Sequence, residues 1–239
     1  MNDDPLVSII VPTVNCPQFT ECIERIRSQT KVRYELIVVC DTPTYAKREQ
    51  LHVLEEQGVK VIINEERMGN PGAQNIGMKA AGGDYIMLTQ DDVLVWTDGW
   101  IQPLVTALQK HPEFGFTVPL VKRIRDQYIA FGELGEASLL SRELVDKVGY
   151  WDESDIFRRL ACDGDYFVRI KNAGYRPHGV ARSMVFHYLG STVKDELEKK
   201  DLVDNMEELY RRYGKEEIWI DRRLLPVYHE NEEMMPKWV

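Results

Sequence analysis

The stretch that decides the fold is Tyr85-Ile86-Met87-Leu88-Thr89-Gln90-Asp91-Asp92-Val93. Its first residues are apolar or β-prone, which is typical of a short strand buried on both faces. The strand stops at two adjacent carboxylates, Asp91 and Asp92, which repel each other and resist desolvation. Such a pair requires a cation or full exposure to water. At the carboxyl end of a parallel strand, where open α/β sheets bind ligands, we favour the cation. An acidic turn in solvent is the alternative.

The chain before this strand alternates between strand and helix patterns. Strands are predicted over residues 6–13, 34–40 and 59–64, with helices over residues 17–30 and 44–57. The order βαβαβ favours a doubly wound, mostly parallel sheet, because parallel neighbours need crossover helices. A helix of small residues over 72–81 follows a glycine-rich loop whose N–H groups could face an anion. This loop lacks the G-x-G-x-x-G fingerprint and the P-loop pattern, so neither an NAD site nor an NTPase site is indicated.

The chain after residue 93 continues with weaker patterns. Helices are predicted over residues 100–111, 141–148, 163–172 and 195–213, and strands over residues 114–121 and 183–188. Ser141 is the expected N-cap of its helix, and Gly149 is the expected stop. Residues 128–138 are glycine-spaced and are predicted to be irregular.

Composition limits the classes of protein that the chain can belong to. Its 239 residues are 44% hydrophobic and 29% charged, as in an ordinary soluble globular protein of one large domain, or of one domain with an appendage. The formal net charge of -9 argues against nonspecific nucleic-acid binding, which depends on clustered Lys and Arg. A protein of this charge would need a cation to hold a phosphorylated ligand.

The sequence shows no targeting segment or disulfide framework. The first residues lack the positive start of a signal peptide, and the apolar run over residues 6–14 is too short to span a bilayer. We therefore expect a cytoplasmic location. The four cysteines show no C-x-x-C spacing, which indicates free thiols in a reducing compartment and disfavours zinc.

Polar residues stand at several predicted strand or loop ends: Asp41, Asp91, Asp92, Asp163, Asp165 and His187. Carboxylates suit Mg²⁺ or Mn²⁺, and imidazole is better accepted by Mn²⁺. A separate carboxylate could act as a general base toward a hydroxyl. Each residue also has a structural interpretation. Asp41 could start a turn, Asp163 and Asp165 could cap a helix, and His187 could be a hydrogen-bonded core histidine.

The ordered set of these segments resembles inverting glycosyltransferase family 2, which has the GT-A fold. The resemblance covers about residues 6 to 214 and is carried by joint order and spacing. Its segments are residues 7–15, 34–41, Gly69 with 73–77, 80–86, the Gln90-Asp91-Asp92 end, 138–142, 148–153, 163–166 with Arg169 and 173–175, and His187 with Ser191.

The resemblance implies a role for each matched residue. Pro12, Thr13 and Asn15 would line the nucleotide pocket, Asp41 would bond the base, and Arg67 and Asn75 would lie near the nucleotide and the sugar. Asp91 would lie near the ribose, Asp92 would ligate the metal with His187 as second ligand, and Asp163 would be the catalytic base, with Asp165 as the fallback. The sequence departs from the family pattern at Gln90, where an acid is expected, and at Cys162, where Glu is usual.

The resemblance also implies a reaction and an organisation. A hydroxyl of a saccharide or other acceptor would displace the diphosphate of a UDP- or dTDP-sugar with Mn²⁺ or Mg²⁺, inverting the anomeric carbon, as in polysaccharide biosynthesis. Residues 1–239 would form one GT-A domain: a nucleotide-sugar half (1–98), an acceptor and catalytic half (99–190) and a C-terminal helical extension (191–239). Association with a membrane surface through the acceptor is compatible with this organisation.

Two other functions stay open at this point. A sugar-nucleotide pyrophosphorylase also joins an α/β sheet to a metal and a nucleotide, but the chain lacks the glycine-rich start expected after its first strand. A donor-binding, inactive GT-A module that acts through protein contacts is favoured by the departures at Gln90 and Cys162.

Overall fold

The structure is a computed structural model that describes residues 4–14, 16–41, 45–124, 128–157, 162–188, 196–214 and 227–228. Of the residues singled out from the sequence, Asn15 and Ser191 lie outside these ranges. The predicted strand and helix order is otherwise open to direct comparison.

Within the described residues the chain forms ten strands and seven α-helices. The strands are β1 (Val7–Thr13), β2 (Tyr34–Cys40), β3 (Lys60–Ile63), β4 (Tyr85–Thr89), β5 (Val93–Val95), β6 (Phe116–Arg123), β7 (Tyr128–Phe131), β8 (Ala137–Ser141), β9 (His178–His187) and β10 (Val227–Tyr228). The helices are α1 (Phe19–Gln29), α2 (Tyr45–Glu56), α3 (Gly69–Ala80), α4 (Ile101–Lys110), α5 (Arg142–Val148), α6 (Cys162–Asn172) and α7 (Glu196–Tyr213).

One mixed sheet organises these elements in the order β10-β9-β6-β8-β4-β1-β2-β3, with β5 added to β9 and β7 added to β6. β1 pairs in parallel with both β2 and β4, so the carboxyl ends of these three strands lie at the same edge. β8 runs antiparallel to β4 and to β6. The predicted α/β fold with a mostly parallel central sheet is confirmed.

Helices cover both faces of the sheet because β1 is apolar on both sides. Ile9 belongs to a core cluster with Phe19 of α1 and Trp100. Ile10, its neighbour in the chain, belongs to a second cluster with Met78 of α3. Successive residues of a strand point to opposite faces, so a continuous apolar run is the expected pattern for a strand between two helical layers.

The prediction of irregular structure over residues 128–138 is wrong in part. This segment contains β7 and the start of β8, separated by a turn in which Gly135 has φ +81°. The glycine spacing marks that turn rather than an unstructured loop. β5 was also missed, because three residues are too few to show a strand period; it forms by pairing antiparallel with β9.

A close approach between α3 and β1 fixes the position of α3. A Cβ atom on Gly77 would overlap the side chain of Ile10 on β1. Glycine is therefore required there for the helix to lie directly on the sheet. The same packing sets the beginning of α3 beside the carboxyl end of β2.

α5 shows the predicted cap and stop. The Ser141 hydroxyl accepts a hydrogen bond from the Leu144 N–H at 3.2 Å, and Gly149 ends the helix with φ +84°. Among the described helices, none combines the length and the apolar character that crossing a bilayer would need.

Candidate active site

The carboxyl edge of β1, β2 and β4 brings the predicted polar residues together. Thr13 at the end of β1 is paired with Cys40, the residue before Asp41. Gln90, Asp91 and Asp92 follow β4 at the same edge. Pro12, Thr13, Asp41, Asp91 and Asp92 are all buried, so the edge is a packed polar site and not an exposed acidic turn.

Asp91 holds the loop that follows β1. Its Oδ2 atom accepts hydrogen bonds from the Thr13 hydroxyl at 2.7 Å and from the Cys16 N–H at 3.3 Å. Burial raises the pKa of Asp91; the bond from Thr13 opposes that change, and the negative charge of Asp92 adds to it. The first acid of the pair is thus committed to the β1 loop, beside the predicted nucleotide pocket.

Asp92 faces His187 across the start of β5. Val93 is paired with His187 of β9, and the backbone oxygen of Asp92 accepts the N–H of Tyr188 at 3.1 Å. This pairing places Asp92 Oδ1 and His187 Nε2 3.2 Å apart, with both side chains buried. The sequence placed these residues near one metal only through the family resemblance, and the geometry brings them together.

Two further charged residues extend this pair, and sequence reasoning missed both. Glu136 Oε1 lies 2.5 Å from His187 Nδ1, and Glu136 Oε2 lies 2.5 Å from an Arg123 guanidinium nitrogen. Arg123 also contacts Glu133 at 2.8 Å. The available signal was that Glu136 directly precedes Ala137-Ser138-Leu139-Leu140, but Glu136 lies within residues 128–138, which the glycine spacing predicted to be irregular.

The charges in this group shift the pKa values of His187 and Glu136 in opposite directions. Burial alone would lower the pKa of His187, but the hydrogen bonds with Asp92 and Glu136 and their negative charges raise it to about 9. Burial would raise the pKa of Glu136; the bond and charge of His187 and the charge of Arg123 outweigh it and hold that pKa below its usual value. In the metal-free protein the two carboxylates therefore favour the protonated form of His187, whose ring nitrogens face Asp92 and Glu136.

The Asp92–His187 pair fits a divalent cation. Mg²⁺ prefers octahedral coordination with bonds of about 2.0–2.1 Å, so adjacent ligand atoms lie about 3 Å apart. The observed 3.2 Å between Oδ1 and Nε2 matches that separation. Within the described ranges no group of three or more His, Cys, Asp or Glu side chains is arranged to hold a metal. Two protein ligands, completed by phosphate oxygens and water, are the arrangement that this donor set suits.

Asp41 is a structural anchor in this geometry. Its Oδ1 atom accepts from the Asn64 amide at 2.7 Å and from the Met68 N–H at 2.8 Å, and Oδ2 accepts from the Gly69 N–H at 2.8 Å. The carboxylate thereby joins β2 to the loop after β3 and to the beginning of α3, where negative charge is favoured. Its predicted bond to the base is not tested by these contacts.

Asn75 connects α3 to the segment after α5. Its amide donates to the Trp151 backbone oxygen at 3.0 Å and to Glu153 Oε1 at 2.6 Å, and its side-chain oxygen accepts the Trp151 N–H at 2.9 Å. Arg67 is exposed in the loop before α3. The predicted positions of both residues near the nucleotide and the sugar stay predictions.

Asp163 and Asp165 in the first turn of α6 have different surroundings. Asp165 is buried and accepts from Arg169 at 2.9 Å and from the Tyr213 hydroxyl at 2.7 Å, which ties α6 to α7. Asp163 is partly exposed. Asp165 therefore serves the packing of two helices, and Asp163 is the more exposed acid of this pair.

Cys162 precedes Asp163 and is buried. Burial raises the pKa of the Cys162 thiol, and the charge of Asp163 raises it further. A neutral thiol thus stands where the resembling family usually has a second acid, which leaves Asp163 with one fewer negative neighbour.

The chain is similar to known proteins in sequence. The family model described as Glycosyl transferase family 2 matches residues 8–156. An uncharacterized glycosyltransferase, YwdF of Bacillus subtilis, is 27% identical over 68% of this chain and 67% of its own length. The Escherichia coli protein WfgD, named as a UDP-Glc:alpha-D-GlcNAc-diphosphoundecaprenol beta-1,3-glucosyltransferase, is 33% identical over 39% of this chain and 38% of its own. Two further relatives, glycosyltransferase GlyG of Streptococcus pneumoniae and the uncharacterized glycosyltransferase MJ1057 of Methanocaldococcus jannaschii, are matched over only 36% and 33% of their own lengths.

Solved structures share the fold. GalNAc-T7 in complex with UDP, GalNAc and Mn²⁺ superposes with a TM-score of 0.72 at 17% identity, covering 91% of this chain and 49% of that one. The mannosyltransferase PcManGT of Pyrobaculum calidifontis, in complex with GDP-Man and Mn²⁺, gives a TM-score of 0.70 at 23% identity, covering 88% of this chain and 65% of that one.

Proposed function

The chain belongs to glycosyl transferase family 2, and from this premise we propose that it is an inverting, metal-dependent glycosyltransferase that uses a UDP- or dTDP-sugar. The observation that carries the metal-dependent part is the buried Asp92–His187 pair at the carboxyl edge, with ligand atoms 3.2 Å apart. Support comes from the two similar folds that were solved with a nucleotide and Mn²⁺.

The donor would lie across the carboxyl edge of β1, β2 and β4. Pro12, Thr13, Asn15 and Asp41 would face the nucleoside, with Arg67 near the diphosphate and Asn75 toward the sugar. Asp91, held by Thr13, would lie beside the ribose. The net charge of -9 makes the site unfavourable for a bare diphosphate, so Asp92 and His187 would bind it through Mn²⁺ or Mg²⁺.

The metal, when bound, would stabilise the charge that develops on the leaving diphosphate. Asp163 would accept the proton of the acceptor hydroxyl. The hydroxyl oxygen would attack the anomeric carbon while the bond from that carbon to the diphosphate oxygen breaks. Asp165 is buried whereas Asp163 is partly exposed, which supports Asp163 over Asp165 as the base. Attack opposite to the leaving group inverts the anomeric configuration.

The acceptor would be a hydroxyl of a saccharide or other glycan. The exposed Tyr150 and the segment 151–155, tied to α3 by Asn75, would form part of its pocket. The polyprenyl-diphosphate sugar in the printed name of WfgD supports a lipid-linked glycan as one class of acceptor, which would bring the protein to a membrane surface.

Donor hydrolysis tests the reaction without knowledge of the acceptor. UDP-glucose, UDP-GlcNAc, UDP-GalNAc and dTDP-glucose would be incubated with Mn²⁺. Release of UDP or dTDP and the anomeric form of the fresh sugar would be followed by NMR. We expect a β-sugar as first product and a loss of about 10²- to 10⁴-fold in Asp163→Asn. Asp146→Asn, an exposed acid of α5, is the matched control.

Each result has a distinct meaning. Background-level release by both the wild type and Asp163→Asn would refute the proposal that the protein is an enzyme. The inactive donor-binding module would then be the remaining hypothesis. Release above background that is equal in the two proteins would refute Asp163 as the base. An α-sugar as first product would refute inversion.

A further inference from the structure

A line of buried charged residues runs from the sheet interior to the proposed metal site. The side chains of Arg123, Glu136, His187 and Asp92 are each at least 90% buried and contact one another in that order. Strand pairing fixes the line, because Arg123 of β6 lies opposite His187 of β9, and Val93 of β5 lies opposite His187 on the other side. Its members therefore come from four separate parts of the chain.

Glu136 has one oxygen that is fully committed. Oε2 accepts from the Arg123 guanidinium at 2.5 Å and from the Glu133 N–H at 2.9 Å. This fixes the plane of the carboxylate and leaves Oε1 directed at His187 Nδ1, 2.5 Å away. Because two strong donors hold Oε2, the position of Oε1 is also fixed.

The orientation of Glu136 determines which nitrogen of His187 can bind a cation. An ionised carboxylate only accepts hydrogen bonds, so Nδ1 must carry a proton whenever it bonds to Oε1. Asp92 Oδ1 also faces the ring, but it lies 3.2 Å from Nε2, farther than the 2.5 Å between Glu136 Oε1 and Nδ1. The shorter contact keeps the single proton of the neutral imidazole on Nδ1 and leaves the lone pair on Nε2. Ligating histidines commonly gain their tautomer and orientation from such an outer carboxylate.

We propose that Glu136, anchored by Arg123, is a positioning residue that fixes the tautomer of His187 so that its Nε2 atom can ligate the divalent cation. The inference rests on the proposed function, since it assigns Glu136 to the same metal site. It goes beyond the family resemblance, which gave a role to His187 and none to Glu136 or Arg123.

The competing explanation is structural: Glu136 could merely neutralise Arg123 and bridge β8 to β9. Glu136→Gln separates the two explanations because it keeps the shape of the side chain. The position of Oε2 is surrounded by two donors, so the single oxygen of the substituted amide must occupy it and the NH₂ group must face His187 Nδ1. That contact forces Nδ1 to accept and places the proton of the neutral ring on Nε2, where it blocks the metal.

The experiment measures Mn²⁺ binding in the presence and absence of UDP by calorimetry, for the wild type, Glu136→Gln and Glu35→Gln. Glu35 is the matched control, because its carboxylate also accepts hydrogen bonds within the protein, from Ser8 and Gly82. It lies at the amino end of β2, away from the carboxyl edge that holds the proposed metal site. We expect Mn²⁺ to bind about 10- to 100-fold more weakly to Glu136→Gln and with unchanged affinity to Glu35→Gln.

Nitrogen-15 NMR of labelled histidine gives a second readout that a purely structural role would not move. Spectra of the metal-free protein are recorded at alkaline pH, where the ring is neutral, with His187→Asn used for assignment. We expect Nδ1–H in the wild type and Nε2–H in Glu136→Gln. The wild-type spectrum alone tests the tautomer if the variant does not fold.

The outcomes separate this inference from the proposed function. Wild-type protein that binds no Mn²⁺ with UDP would refute the metal site itself and with it the role of Glu136. Wild-type binding that Glu136→Gln retains within about twofold, or a wild-type His187 protonated at Nε2 only, would overturn the positioning role and leave the metal site intact.

Discussion

Replacement of Asp41 by alanine tests whether this carboxylate serves mainly to build the site. In the structure it accepts three hydrogen bonds, from Asn64, Met68 and Gly69. Loss of the acceptor at the beginning of α3 should cost about 1–2 kcal/mol, the usual effect of removing a helix cap. The buried Asn64 amide, left without its partner, should add about 1–3 kcal/mol. We therefore expect the free energy of unfolding to fall by about 2–5 kcal/mol.

The assay is urea unfolding of four proteins: the wild type, Asp41→Ala, Asn64→Ala and the double variant. In the Asn64→Ala background the amide penalty no longer exists, so Asp41→Ala should cost only the cap contribution of about 1–2 kcal/mol. The difference between the two backgrounds isolates the Asp41–Asn64 interaction.

One result would refute this reasoning. If Asp41→Ala lowered the free energy of unfolding by less than about 1 kcal/mol and abolished UDP binding, the carboxylate would be held for the base and the three observed bonds would be incidental.

Three further predictions concern the proposed metal ligand Asp92, a half-buried histidine and a packing glycine. Asp92→Ala should abolish the Mn²⁺-dependent part of UDP binding in calorimetry, because it removes one of the two proposed protein ligands; unchanged Mn²⁺ dependence would contradict the assignment. Burial lowers the pKa of His178, which also lies near His111, Glu113 and Arg176. As pH drops, the unfolded chain therefore binds a proton at His178 before the folded protein does, and the free energy of unfolding should fall below about pH 6.5. In urea unfolding at several pH values, His178→Phe should show a smaller decrease than the wild type. Gly77→Ala should destabilise the protein by about 1–3 kcal/mol through overlap with Ile10, measured by thermal unfolding, whereas Gly82→Ala, whose Cβ would meet only Glu35 at 3.5 Å, should be nearly neutral.

The parallel part of the fold was predictable because its signal is local. β2 has the predicted bounds, β1 begins one residue later than predicted, and β4 occupies the first residues of the stretch 85–93, as expected. Each is an apolar run closed by a polar or breaking residue. The polar edge followed from the same pattern, because parallel strands end on the same side. These predictions needed no knowledge of distant contacts.

The second half of the site depends on strand pairing between residues far apart in the sequence, antiparallel for β8 and parallel between β6 and β9. Glu136 reaches His187 only because β8 joins β4 and β6, and because β6 and β9 lie in register at Arg123 and His187. No period in residues 128–138 reveals that register, and the glycines there indicate turns. The role of His187 was therefore expected only from the family resemblance. Glu136 was missed because no local sequence pattern shows which strands pair.

The hydrogen bond from Tyr213 to Asp165 bears on where a fragment of the protein for expression should end. Gly164 lies directly against Leu209, where a Cβ atom would come 2.8 Å from its Cδ1, and Arg212 adds an ion pair to Asp152 at 2.7 Å. A fragment that stops at residue 156, where the family match ends, omits the proposed base, and one that stops at residue 188 strips α6 of the helix that packs on it. The smallest useful fragment therefore extends through Gly214.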